Sequence, residues 1–291
     1  MYHHHIWEDK FSIHELSQQG SRLKVVPARG GIITEWAVDG EAVLYLDPQT
    51  LQDNSKNIRG GIPILFPICG PLRDGQYQWE DQTYQMKQHG LARNLLWEVT
   101  GVEVSDGEAL LSLETVANSE TKLVYPFDFQ LVFNYVLKPN SLLIKQSYLN
   151  NSAKVMPFYA GFHPYFYAPQ RQGVKLNIPS PTSRYRNLLT GLEEEFAGCL
   201  RLEDVPEGNY VFEQLSGQKV TLGNYGTGRE IVLEFAEEFR KIVVWALAGQ
   251  DFVCVEPWMA DNYTLNTGQG LYKLGPKEQL DTWISITVNQ K

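Results

Sequence analysis

FQLVFNYVLKPNSLLIKQSYL, residues Phe129–Leu149, holds two apolar runs separated by Lys138-Pro139-Asn140. In the first run Leu131, Phe133, Tyr135 and Leu137 recur at every second position, which places them on one face of an extended strand. Lys-Pro-Asn is turn chemistry, because Pro presets the backbone and Asn tolerates the tight return. The segment therefore predicts a hairpin whose one face packs on a core, and similar pairs follow in both directions. Val102–Val104 and Ala109–Val116 flank Ser105-Asp106-Gly107, while Asp39-Gly40 separates Ile32–Val38 from Ala42–Leu46. Further strands are predicted at Val174–Ile178, Tyr210–Phe212, Lys219–Leu222, Ile231–Phe235, Ile242–Ala246, Phe252–Glu256 and Thr282–Val288.

Helical patterning is nearly absent. Asn187–Ala197 and Phe235–Phe239 hint at helix or tight turn, and Glu193-Glu194-Glu195 reads as a solvated charge run. Pro48–Asn57 reads as a polar loop, and the glycines and prolines of Arg59–Leu72 forbid a regular helix there. Nothing in the composition divides the chain, so the expectation is an all-β protein, a large antiparallel β-sandwich, with residues 1–291 as one domain.

With 43% hydrophobic residues the 291-residue chain can bury a core without a staple. Its net charge of −9 argues against nucleic-acid or anionic-membrane partners. Cys69, Cys199 and Cys254 are unevenly spaced and form no CxxC, which suits a reducing, cytoplasmic setting. Met1–Lys10 lacks the apolar stretch of a signal peptide and reads as a frayed tail carrying His3-His4-His5.

Two stretches carry candidate chemistry. In Pro157–Phe166, PFYAGFHPYF, alternation sets Tyr159, Gly161, His163 and Tyr165 on one side, with Gly161 as a gap. An aromatic wall beside an imidazole suits a sugar, whose C–H faces stack on rings while its hydroxyls need polar partners. The same His reads equally as a satisfied, half-buried residue. Glu256 closes the apolar strand Phe252–Val255, with Pro257 expected to end the ladder and Trp258 to desolvate the carboxylate, raising its pKa. A salt-bridged surface Glu is the alternative. A nucleophile elbow and phosphate loops are missing. His14, His89 and His163 are too scattered for paired zinc-ligand spacing, so no metal is expected.

Three blocks in order resemble the aldose 1-epimerases, or hexose mutarotases, of the galactose-mutarotase superfamily: GIPILFPICGPLRDGQY continuing to YQMKQHGLARNLLW, then GFHPYF, then CVEPWMADN. The resemblance covers most of the chain. It implies an isomerase that interconverts the α and β anomers of an aldohexose without a cofactor. It also implies His163 as general acid, Glu256 as general base, and substrate contacts from Arg59, His89 and Arg93. Asn209 stands where family members often carry an Asp that contacts sugar hydroxyls. The first block is similar to the free-aldose subgroup, whereas Arg59-Gly60-Gly61 and His89–Arg93 are similar to the branch acting on hexose 6-phosphates. A sugar-binding protein without catalysis would explain the aromatics but gives no reason for His163 and Glu256 to occur together. A glycoside hydrolase would need a second carboxylate. The expected partner is a small sugar, and the chain acts as a monomer or homodimer.

Overall fold

The hairpin centred on Lys138-Pro139-Asn140 forms as the alternation requires. In this computed structural model, which describes all residues except 170–173, 183, 199, 203–205, 224–227 and 291, Phe129–Leu137 pairs antiparallel with Ser141–Asn150. Leu131, Phe133, Tyr135 and Leu137 are all buried. Each such apolar side chain contributes on the order of 1.5–3 kcal/mol by leaving water. Cys199 lies outside the described residues.

The hairpin belongs to a nine-stranded sheet in which Gln279–Gln290 runs between Ser141–Asn150 and Arg229–Phe235. A second, eight-stranded sheet contains Glu207–Phe212, Lys241–Leu247, Phe252–Trp258, Gly161–Phe162 and Tyr165–Tyr167. The two form a β-sandwich with rings interleaved between them. Phe133 of the first sheet meets Phe162 of the second at 6.0 Å between centroids, and Phe66 touches Phe129, Tyr148 and Phe158.

Local structure departs from the expectations in several places. His3–Glu8 is a strand, not a frayed tail, because Ser12–Gln18 supplies its ladder partners and His4 Nε2 lies 3.1 Å from His14 Nδ1. Pro48–Gln52 forms a short helix, capped where the Asp47 carboxylate accepts from the Gln49 N–H. Asn187–Ala197 contains no helix. The chain turns at 188–190 and Glu193–Glu195 returns beside Arg184–Arg186, where Arg184 and Tyr185 bind Glu193 and Glu194. Opposite charges across the ladder thus convert the acidic run into a strand. Phe235–Phe239 ends a strand in a turn.

Candidate active site

The aromatic stretch is not one strand. Met156–Phe158, Gly161–Phe162 and Tyr165–Tyr167 are separate, and His163 and Pro164 fall in the last break. The cause lies in the neighbouring segment, whose carbonyls interrupt the ladder. His163 N–H donates to Pro63, Tyr165 N–H to Gly61 and Tyr159 N–H to Pro67. The Pro- and Gly-rich run from Arg59 thereby packs along the stretch while its ends face a cavity.

Gly161 is required, but not as room for a ligand. A Cβ there would lie 2.9 Å from both Cys69 Cβ and Trp258 Cδ1, so protein fills the gap. Tyr159 is fully buried and does not line the cavity, contrary to the simple alternation. His163 and Tyr165 do share it, stacked at 4.6 Å with planes 12° apart.

Glu256 is two residues inside its strand, since Phe252–Trp258 continues through Pro257. Ile242 pairs with Pro257 and Val243 with Glu256, placing Glu256 over the sheet at 1% exposure. It is not a strand-end surface acid. Its Oε1 lies 3.3 Å from His163 Nε2, and its Oε2 accepts from Trp258 Nε1–H at 3.1 Å. Burial drives the Glu256 carboxyl well above its usual range, opposed by the indole N–H. Burial also drives His163 well below the ordinary imidazole value, helped by repulsion from His89 and Arg93. Both shifts favour a neutral acid beside a neutral imidazole, a pair that holds one proton between two groups.

His89 sits with φ of 69°, followed by Gly90 at 72°. A Cβ on Gly90 would come 2.3 Å from the Phe66 carbonyl oxygen, so the turn that aims His89 needs glycine at this point. His89 Nδ1 lies 2.5 Å from the Cys69 carbonyl oxygen. A carbonyl can only accept, so Nδ1 carries the proton and Nε2 keeps its lone pair. Burial, then the Arg93 charge, lowers the His89 pKa to about 3, so the ring is neutral at pH 7.

All six residues singled out by sequence, Arg59, His89, Arg93, His163, Asn209 and Glu256, line one cavity of about 840 Å³. Arg59 and Arg93, distant in sequence, both lower the Tyr165 phenol pKa against the larger upward push of burial. Arg93 donates from Nη2 to the Gln88 carbonyl at 3.0 Å, and neither Arg has a carboxylate partner among the described residues. Asn209 faces Trp245 across the ladder. Sequence reasoning missed Lys56, Trp245 and Asn262 as cavity residues. Trp245 was detectable, because it interrupts the apolar strand Lys241–Leu247 with a ring able to stack on a sugar. Lys56 comes from a polar loop without pattern.

His163 Nδ1, Arg93 Nε and Asn262 Oδ1 are buried without a hydrogen-bond partner among the described residues. Such groups cost about 1–3 kcal/mol each, and all three belong to residues of this one cavity. The site thus concentrates unspent polar capacity beside a proton-sharing pair and an aromatic wall.

A β-sandwich carrying this cavity is that of a sugar isomerase. Residues 13–287 match the aldose 1-epimerase family, and the chain belongs to it. Slr1438 protein from Synechocystis sp. PCC 6803 is 37% identical, with a TM-score of 0.90 over 100% of this chain and 96% of that one. Chromosomal LacX of Lactococcus lactis subsp. lactis is 25% identical over 72% of this chain and 77% of its own length. An Escherichia coli (strain K12) protein provisionally assigned as a glucose-6-phosphate 1-epimerase is 34% identical over 37% of this chain and 34% of its own.

Proposed function

We propose that the chain equilibrates aldohexose anomers with His163 and Glu256 as its acid–base pair, acting as one domain in the cytoplasm. The contact of 3.3 Å between the two groups carries this reading. Once the shared proton moves from Glu256 to His163, Glu256 as carboxylate takes the anomeric hydroxyl proton, while His163 as imidazolium protonates the ring oxygen as the C1–O5 bond breaks. Rotation about C1–C2 and reclosure with the roles reversed give the other anomer. The proton count is unchanged throughout, which matches a pair that holds one proton. Tyr165 and Trp245 offer ring faces to the sugar, and Asn209, His89 and Asn262 offer polar partners to hydroxyls. Polarimetry of freshly dissolved α-glucose and α-galactose, with and without protein, tests the proposal. Decay at the buffer rate for these sugars and their 6-phosphates would leave only a sugar-binding protein.

A second reading, a hexose 6-phosphate as the better substrate, is favoured by the charges. Lys56, Arg59, Lys87 and Arg93 line a cavity in which Glu256 is the only carboxylate among the described residues, in a chain of net charge −9. Lys56 lies 3.4 Å from Asp53, while the other three have no acidic partner among the described residues. Guanidinium forks suit a phosphate.

A further inference from the structure

One ionisable group beside the acid–base pair has no part in mutarotation. Cys254 precedes Glu256 by two residues on the same face of Phe252–Trp258, paired with Trp245 on one side and Tyr165 on the other. It is fully buried. Its Sγ, a ring nitrogen of His163 and a carboxylate oxygen of Glu256 lie within 4.8 Å of one another. Among the described residues no other set of three such groups is so close. Spacing in sequence concealed it, because His163 lies in a different segment from the other two.

We propose that Cys254, His163 and Glu256 form a binding site for zinc that switches the enzyme off by occupying its acid–base pair. One thiolate, one imidazole and one carboxylate are the donor types that zinc accepts, at about 2.3 Å for sulfur and about 2.0–2.2 Å for nitrogen and oxygen. Small side-chain rotations draw three atoms within 4.8 Å onto one ion. His163 and Glu256 line the cavity, so a fourth position opens towards it. The basic residues around the cavity disfavour an ion held by charge alone, which excludes magnesium or calcium as the natural occupant. The sulfur bond selects a softer ion. Binding releases the thiol proton and the proton shared by the pair. An occupied site therefore has neither base nor acid, whereas the empty site has both. Zinc is an inhibitor here, not a cofactor.

The test uses the full chain and two readouts. Zn²⁺ is titrated against anomer equilibration, and Co²⁺ is titrated as a spectroscopic substitute. The expected result is inhibition at one ion per chain, reversed by EDTA and competitive with sugar, with a thiolate-to-cobalt charge-transfer band in the near ultraviolet. Cys254→Ser should keep its metal-free activity and lose the band. Its zinc inhibition constant should rise by more than the ~10–100-fold typical of losing an outer-shell partner. Inhibition equal to wild type in Cys254→Ser, or cobalt bound without a thiolate band, overturns the proposal. The second result would place the ion on imidazoles such as those of strand His3–Glu8. Should Cys254→Ser fail to fold, the wild-type band and its loss on adding saturating sugar decide the matter. The inhibition rests on the proposed acid–base reading, whereas the cobalt band does not, so the two fail separately.

Discussion

His163 Nε2 lies 3.3 Å from Glu256 Oε1, although His163 sits in a break between strands, Glu256 lies inside a distant strand, and neither is exposed. The contact depends on Gly161, which lets Trp258 pack against its strand while the Trp258 indole holds the other Glu256 oxygen. Glu256→Gln and His163→Asn keep the shape of the pair but break its proton sharing. Each should lower kcat by at least ~100-fold, the scale of one positioned proton transfer. Polarimetric rates of the two variants check this, and unchanged kcat in either would remove that residue from the acid–base pair.

Trp258 provides a separate handle on the same carboxylate. Its N–H stabilises the Glu256 anion and so opposes the upward shift caused by burial. Trp258→Phe keeps an aromatic side chain, smaller than the indole, and deletes the donor. With Glu256 raised further, the acidic limb of the pH–rate profile should move to higher pH, by about 1–2 pH units if the bond is worth ~1.5–3 kcal/mol. An unmoved limb would show that the indole positions Glu256 without tuning it.

Much of this was legible in the sequence, for different physical reasons. Alternation at Leu131–Leu137 revealed strand and core because a one-sided sheet writes burial directly into period two. The chemistry at His163 and Glu256 was legible because both sit beside Pro and aromatic residues in short motifs. Tyr159 was misplaced because alternation assumes a continuous strand, and the carbonyls of Gly61, Pro63 and Pro67 break this one. Glu193–Glu195 became a strand through its ladder partners Arg184, Tyr185 and Arg186, which a local charge run cannot reveal. The proximity of Cys254 to His163 is a fact of tertiary structure and leaves no local trace.

His89 makes stability depend on acid. Its folded pKa of about 3 lies below the unfolded value, so the folded ring stays neutral where the unfolded ring gains a proton. The contribution is therefore complete above the unfolded value near ~6.5 and is lost as pH falls from there towards the folded value. Between pH 7 and 5.5 the wild type should lose up to about 1 kcal/mol through this one group. Urea midpoints at the two pH values, compared with those of His89→Asn, test it. An equal acid loss in the variant would assign the effect to other groups.

The last expectation concerns the unpaired cations. Arg59 lines the cavity, has no carboxylate partner among the described residues, and holds its backbone in place through N–H donation to Thr50 Oγ1. Its guanidinium is therefore not needed to brace the loop, and Arg59→Ala should fold. Arg93 is less clean, because its Nη2 ties down the Gln88 carbonyl beside His89, so its loss would disturb free-sugar turnover as well. If the basic residues receive a phosphate, glucose 6-phosphate should exceed glucose in kcat/KM, and Arg59→Ala should remove ~10–100-fold of that advantage, the worth of one charged hydrogen bond. Glucose itself should be turned over by the variant much as by the wild type. Rising salt should erode the phosphate advantage through screening of the exposed Arg59 and Lys87. Equal kcat/KM for the two sugars, unmoved by Arg59→Ala, would return the site to free aldoses and leave the cations as hydroxyl donors.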